Sequence, residues 1–189
     1  MKIIELPSKE WDALTLEDFG GKRKEKTVCV VRYGGMGDMI QVASLFPLLK
    51  EQGYRVCVNV SERGKEILES DPNVDELIVQ TTDQVPNDCL TEYWENLEKC
   101  FDKFIQLSES IEKSLLLAAE RIEMLRGHKT LVEGSPDYNL PKEEIHAKYN
   151  VNYMERTHDL AGVEYKFMPK FYPTLEEKKW ARSRRKRIK

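Results

Sequence analysis

The sequence predicts an α/β fold, a Rossmann-like parallel sheet with helices on its faces. Continuous apolar and β-branched runs, such as residues 27–32, are typical of strands buried on both faces. The stretches between these runs carry apolar residues three and four positions apart, which indicates helices. Because strands that alternate with helices pair in parallel through right-handed crossovers, the pattern predicts a layered domain.

The first predicted core element follows a polar lead segment, residues 1–26, that ends in the turn-rich sequence GGKRKEK. We expect this lead to lie outside the first core element. The strand over residues 27–32 runs into a glycine-rich turn, YGGMGD, and then into a helix whose broad apolar face spans residues 39–49. Gly53 stands where a left-handed residue commonly ends a helix.

The middle of the chain repeats the alternation of strands and helices. Three further strands are predicted from apolar runs, and polar capping residues mark the helix starts. The predicted elements are a strand over 55–60, a short helix from a Ser61 cap to about Glu69, a strand over 76–79, a helix over 90–101, a strand over 103–107, and a long helix over 108–125 capped by Ser108.

The pattern weakens beyond Gly127, where Pro136 and Pro141 mark loops, and a helix is predicted over residues 151–160. Pro173 then precedes a Thr-x-x-Glu capping box, which predicts a helix at the start of the basic tail. We therefore divide the chain into a lead (1–26), a Rossmann-like domain (27–172) and a basic helix (173–189).

Composition and charge exclude several classes of protein. With 189 residues, 40% of them apolar and 33% charged, the chain can form one buried core, which disfavours disorder and fibrous folds. No apolar run approaches the ~20 residues of a membrane span, so we expect a cytoplasmic protein. Residues 176–189 carry eight Lys or Arg against two Glu, a net +6 that leaves −9 on the remainder.

The cysteines and histidines predict no metal site. None of the four cysteines forms a Cys-x-x-Cys pair, and the three histidines are far apart in the sequence. Two of the cysteines lie inside apolar, strand-like runs, so we expect buried free thiols rather than disulfides or ligands.

The glycine-rich turn is the candidate ligand site, because ligands bind beyond the carboxyl ends of strands in an open parallel sheet. Gly34, Gly35 and Gly37 let the backbone approach a ligand, and free amides at a helix start favour an anion. The dinucleotide pattern Gly-x-Gly-x-x-Gly is broken by Ile40, and no phosphate-loop motif is present. Binding of NAD and hydrolysis of nucleotides are both disfavoured.

Asp38 is the acid beside these glycines, and two interpretations stay open. It can cap the helix and complement the helix dipole, or it can act as a general base that takes a proton from a substrate hydroxyl. Local sequence alone does not decide between the structural and the catalytic role.

A set of short segments resembles a known family of enzymes. The segments VVRYGGMGDMI (30–40), LLK (48–50), YRV (54–56), DPNVDELI (71–78) and FDKFIQL (101–107) occur in the order and spacing found at the start of the heptosyltransferase-like glycosyltransferases of family nine. The resemblance covers roughly residues 27–112.

This resemblance implies the amino-terminal lobe of a B-type glycosyltransferase (GT-B) fold. That lobe binds the acceptor, a second lobe binds the nucleotide-sugar donor, and the acid of the Met36-Gly37-Asp38 turn is the proposed catalytic base of an inverting transfer. No cofactor is implied. Because no segment of the chain corresponds to the donor lobe, we expect part of a longer protein or a truncation, inactive in transfer by itself.

Other residues are candidates for binding. Arg63 and Lys65 follow the second predicted strand and could hold a phosphorylated glycan, and Ser108 could contact substrate besides capping its helix. The basic tail fits a solvated interdomain helix or a peripheral contact with an anionic membrane, and nucleic acid is disfavoured because no aromatic cluster accompanies it. The alternative to a glycosyltransferase is a non-catalytic Rossmann-like module that binds an anionic ligand or a protein partner.

Overall fold

The predicted α/β architecture is present in a computed structural model, which describes residues 1–5, 25–81, 84–86, 89–108 and 140–185. Within these ranges, five parallel strands form one sheet in the order β1-β4-β3-β2-β5. The strands are β1 (Lys2–Glu5), β2 (Thr27–Val31), β3 (Arg55–Ser61), β4 (Glu76–Gln80) and β5 (Lys103–Gln106).

Helices flank this sheet. Their bounds are α1 (Met36–Val42), α2 (Phe46–Glu51), α3 (Glu62–Leu68), α4 (Leu90–Glu98), α5 (Lys142–Tyr149), α6 (Tyr153–Ala161) and α7 (Leu175–Arg185). The four strands predicted from apolar runs and the helices near 62–69, 90–101, 151–160 and 175 are confirmed, with ends that differ by a few residues. The helix predicted over 108–125 lies outside the described residues.

Two apolar layers bury the sheet, because successive side chains of a strand point to opposite faces. Val28 and Val30 of β2 pack in one layer with side chains of α1, α2 and α6. Cys29 and Val31 pack in the other layer with Tyr93 and Leu97 of α4. Every residue of β2 is buried, which explains its uninterrupted apolar sequence.

Strand β1 lies within the lead segment, ahead of the first strand that the sequence predicted. Residues Lys2–Glu5 pair in parallel with β4, so that Ile3 stands opposite Leu77. At four residues, β1 is too short to give a strand pattern of its own, and Ile3 stays 39% exposed at the edge of the sheet. Pairing with β4 therefore defines this strand, and local sequence does not.

The helix after the glycine turn is interrupted, although its apolar spacing predicted a single element. Helix α1 ends at Val42, a 3₁₀ turn covers Ala43–Leu45, and α2 begins at Phe46. Pro47 has no N–H to donate to the carbonyl of Ala43, and its ring crowds that carbonyl. The chain tightens into a 3₁₀ turn before the proline, and the apolar face continues across the break.

Caps at the helix ends agree with the sequence at Gly53 and Thr174, and in position alone at Ser61. Gly53 follows α2 with a φ of +85°, in the left-handed region. Before α7, the hydroxyl and backbone N–H of Thr174 donate to the Glu177 carboxylate at 2.9 and 2.7 Å, and Glu177 N donates back at 3.2 Å. Ser61 stands at the N-cap of α3, but its side chain makes no capping hydrogen bond.

Candidate functional site

The site lies at the point where the connections of the sheet change direction. From β2 the chain passes to β3 on one side, whereas β5 pairs on the other side of β2. In open parallel sheets the crevice for a ligand opens beyond the carboxyl ends of two such strands. The glycine turn follows β2, and Ser108 follows β5, so both predicted features belong to this crevice.

The turn is shaped by Gly34, which has a φ of +141°. A Cβ atom on Gly34 would overlap the Asp38 carboxylate, so a larger residue would displace that group as well as strain the backbone. Gly35 is the N-cap of α1, and its backbone N–H donates to Asp38 Oδ2 at 2.8 Å. The capping role of Asp38 is therefore present.

Arg32 forms an ion pair with the same carboxylate. Its Nη2 donates to Asp38 Oδ1 at 2.8 Å, and its Nη1 donates to the carbonyl of Leu107 at 3.1 Å. Arg32 is 4% exposed, whereas the Asp38 side chain is 32% exposed. A buried cation thus holds a carboxylate that still reaches solvent at the mouth of the crevice.

Tyr153, the first residue of α6, completes this group and was not predicted. Its hydroxyl accepts a second hydrogen bond from Arg32 Nη2 at 2.8 Å. Because Tyr153 lies 121 positions from Arg32, no local pattern joins the two residues. We call Arg32, Asp38 and Tyr153 the Arg32 triad.

Tyr33, the next residue after Arg32, packs against the apolar layer on the α4 side of the sheet. Its hydroxyl hydrogen-bonds Asn59 Oδ1 at 2.6 Å and Gln80 Oε1, and its ring stacks on Trp94 with 5.9 Å between centroids. Burial raises the pKa of the Tyr33 phenol, so it stays protonated near neutral pH. The Ser108 hydroxyl accepts from the Tyr33 backbone N–H and so joins the ends of β2 and β5.

The end of β3 carries a buried amide where dinucleotide-binding folds place an acid. Asn59 is 0% exposed, and its Nδ2 donates to the carbonyl of Ile78 at 3.1 Å. Its Oδ1 faces Tyr33, so both polar groups of the side chain are engaged within the protein. This position therefore offers no carboxylate to the hydroxyls of a ribose.

The other predicted ligand residues surround the crevice less closely. Arg63 is exposed and Lys65 half-buried on α3, which follows the strand beside β2. Between them, Gly64 brings α3 close to α1, because a Cβ there would lie 2.9 Å from Met39 Sδ. Met36 is 63% exposed, and Gly37 has open space around its Cα.

Three of the four cysteines are buried as free thiols beneath the site. Cys29 stands directly opposite Cys57 in the sheet, and Cys100 packs in the same apolar layer, whereas Cys89 is half-buried. Burial and the adjacent Cys57 thiol raise the pKa of Cys29 well above its ordinary value. The Cys29 thiol is therefore held in the unreactive protonated form.

Within the described ranges, no three His, Cys, Asp or Glu side chains come together as a metal site. None of the helices described is both long enough and apolar enough to cross a membrane. Comparisons of the chain with protein-family models, with curated proteins and with solved structures found no match.

Proposed function

We propose that the chain is the acceptor-binding domain of an inverting, heptosyltransferase-like glycosyltransferase with a GT-B fold. The observation that supports this most directly is the placement of Asp38. Its carboxylate lies at the crevice beyond the carboxyl ends of β2 and β5 and is partly exposed. Arg32 and the Gly35 amide orient this carboxylate. A general base needs these properties, since it must reach a substrate hydroxyl in a defined direction.

In the proposed reaction, the acceptor hydroxyl attacks the anomeric carbon of a nucleotide sugar. The new carbon–oxygen bond forms on the face opposite the leaving group, the bond to the nucleotide phosphate breaks, and the hydroxyl proton passes to Asp38. Because a carboxylate is a weak base beside a sugar hydroxyl, the proton moves late, as the new bond forms. Asp38 keeps further lone pairs on both oxygens for this proton.

The remaining predicted residues have binding roles in this proposal. Arg63 and Lys65 would attract a phosphorylated glycan, while Ser108 and the backbone of the glycine turn would contact the acceptor. The nucleotide sugar would be bound mainly by a second Rossmann-like domain. We place the enzyme in the cytoplasm, with α7 leading toward that second domain or toward the anionic inner face of the membrane.

Replacement of Asp38 by asparagine tests the proposed base. Asparagine keeps an oxygen for the Gly35 amide but cannot accept a proton, so transfer by the full-length protein should fall by a factor of about 100 or more. The assay follows release of nucleotide from a panel of nucleotide sugars in the presence of phosphorylated and neutral glycans. Asp159→Asn, at a surface ion pair with Arg156, is the matched control.

A non-catalytic Rossmann-like module is the second candidate, and one observation favours it. Both oxygens of Asp38 already accept hydrogen bonds, from Arg32 and from Gly35, as in a purely structural cap. If Asp38→Asn protein transfers sugar as fast as the unmodified protein, Asp38 is not the base. Binding of glycans without any transfer by the full-length protein would favour the module.

A further inference from the structure

We infer that Tyr153 is a positioning residue, which acts through Arg32 to hold the Asp38 carboxylate in place. This inference rests on the proposed role of Asp38 as the base. The Arg32 Nη2 group donates to both Asp38 Oδ1 and the Tyr153 hydroxyl, each at 2.8 Å. A guanidinium nitrogen carries two N–H bonds at a fixed angle to each other. The N–H that the tyrosine oxygen holds therefore also fixes the direction of the N–H that donates to Asp38.

The side chain of Tyr153, at the start of α6, is half-buried and packs against the apolar layer that β2 shares with α1 and α2. The buried ring of His158, in the last turn of α6, lies with Nε2 3.5 Å from Ser44 Oγ. At the end of α6, Lys103 Nζ from β5 donates to the carbonyl of Ala161 at 2.7 Å. These two contacts anchor the last turn of α6 and the packing of Tyr153 anchors the first, so the tyrosine hydroxyl is kept at a defined position relative to β2 and β5.

Arg32 donates to acceptors from three different elements of the part of the chain that the structure describes. Leu107 follows β5, Asp38 belongs to α1 and Tyr153 belongs to α6. Without the tyrosine hydroxyl, the nearly buried guanidinium loses an acceptor and can turn toward another one. Because Asp38 Oδ1 is bound by the same nitrogen, such a turn moves the carboxylate and weakens the bond of Oδ2 to Gly35 N.

Hydrogen exchange at the Gly35 amide measures this positioning without any substrate. In Tyr153→Phe protein the exchange rate at Gly35 should rise about tenfold, the effect of losing roughly one hydrogen bond. The rate at Val58, in the middle of buried β3, should stay within twofold of its original value. A loss of global stability would instead accelerate exchange at both amides.

Tyr165→Phe is the matched control, because Tyr165 contacts His158 of α6 through its ring and lies outside the Arg32 triad. It should leave exchange at Gly35 unchanged. If Tyr153→Phe protein does not fold, Arg32→Lys carries the test, since one ammonium cannot serve three acceptors in these directions. It should raise the exchange rate at Gly35 by at least the same factor.

The inference is overturned if the folded variant leaves the Gly35 rate within twofold of its original value, or if Tyr165→Phe raises that rate equally. This outcome is separate from the test of the base. A full transfer rate in Asp38→Asn protein would refute catalysis by Asp38, and the exchange data could still establish that Tyr153 positions the carboxylate. Unchanged exchange at Gly35 in Tyr153→Phe protein would refute that positioning, and Asp38 could still be the base.

Discussion

Replacement of Gly64 by alanine should destabilise the protein, although alanine is the better helix former. Gly64 lies inside α3, where alanine would gain about 1 kcal/mol of helix propensity. An added Cβ, however, would lie 2.7 Å from Val60 Cβ and 2.9 Å from Met39 Sδ. Carbon atoms normally approach to about 3.5 to 4.0 Å.

The two contacts of the added methyl differ in how easily they yield. The methionine sulfur can move, whereas Val60 Cβ is bonded directly to the backbone of β3 and moves only with that strand. Such overpacking costs about 2 to 3 kcal/mol, so the net loss in the free energy of unfolding is about 1 to 2 kcal/mol. With a urea m-value of about 2 kcal/mol/M, the midpoint should fall by about 0.5 to 1 M.

Urea unfolding followed by far-ultraviolet circular dichroism measures this change, and Gly37→Ala supplies a control of opposite sign. Gly37 also lies in a helix, but a Cβ there meets nothing within 4 Å, so alanine should stabilise by about 0.5 kcal/mol. A Gly64→Ala midpoint equal to or above the original would refute the packing of α3 against β3 and α1.

Two further predictions concern polar contacts. Thr27 N and Oγ1 donate to Asp102 Oδ2 at 2.7 and 2.9 Å, and these hydrogen bonds lower the pKa of Asp102. The stability that the Asp102 carboxylate contributes is therefore present above the unfolded carboxyl pKa of about 3.9, and it is lost as the pH falls through the lower folded pKa. Asp102→Asn should therefore lose less stability than the original protein between pH 7 and pH 3 in urea titrations, and an equal loss would contradict this role. Thr174→Ala removes the hydroxyl that accepts a hydrogen bond from Glu177 N, and it should destabilise α7 by about 1 kcal/mol. Circular dichroism should show lower helicity, and amide exchange should be faster in the first turn of α7. Unchanged exchange there would show that the capping box does not stabilise α7.

Most of the sheet could be predicted from sequence because its signals are local. Each residue of β2 is buried, so evolution of the strand leaves a continuous apolar run, and Gly53 reports a left-handed backbone at its own position. The capping box at Thr174 spans only four residues and was equally visible. Pro47 is also a local signal, and it indicates the break between α1 and α2. The sequence nevertheless predicted a single helix, because the apolar face continues across that break.

The candidate site could be predicted only in part. Gly34 and Asp38 stand out because a glycine-rich turn between a strand and a helix is a local pattern. Local sequence predicts Arg32 only as the last residue of a strand. A charged residue at the end of an otherwise apolar, fully buried strand is a signal for a buried ion pair. Tyr153 gave no such signal, since its contact with Arg32 depends on where α6 packs.

The sequence by itself therefore determined the class of fold, the positions of the four main strands along the chain and the turn that carries Asp38. Burial and backbone conformation constrain residue types one position at a time. The tertiary structure alone decided the pairing of β1 with β4, the order of strands in the sheet and the Arg32 triad. Those features join residues far apart in the chain, and the free energy of such contacts depends on packing geometry that a single sequence does not display.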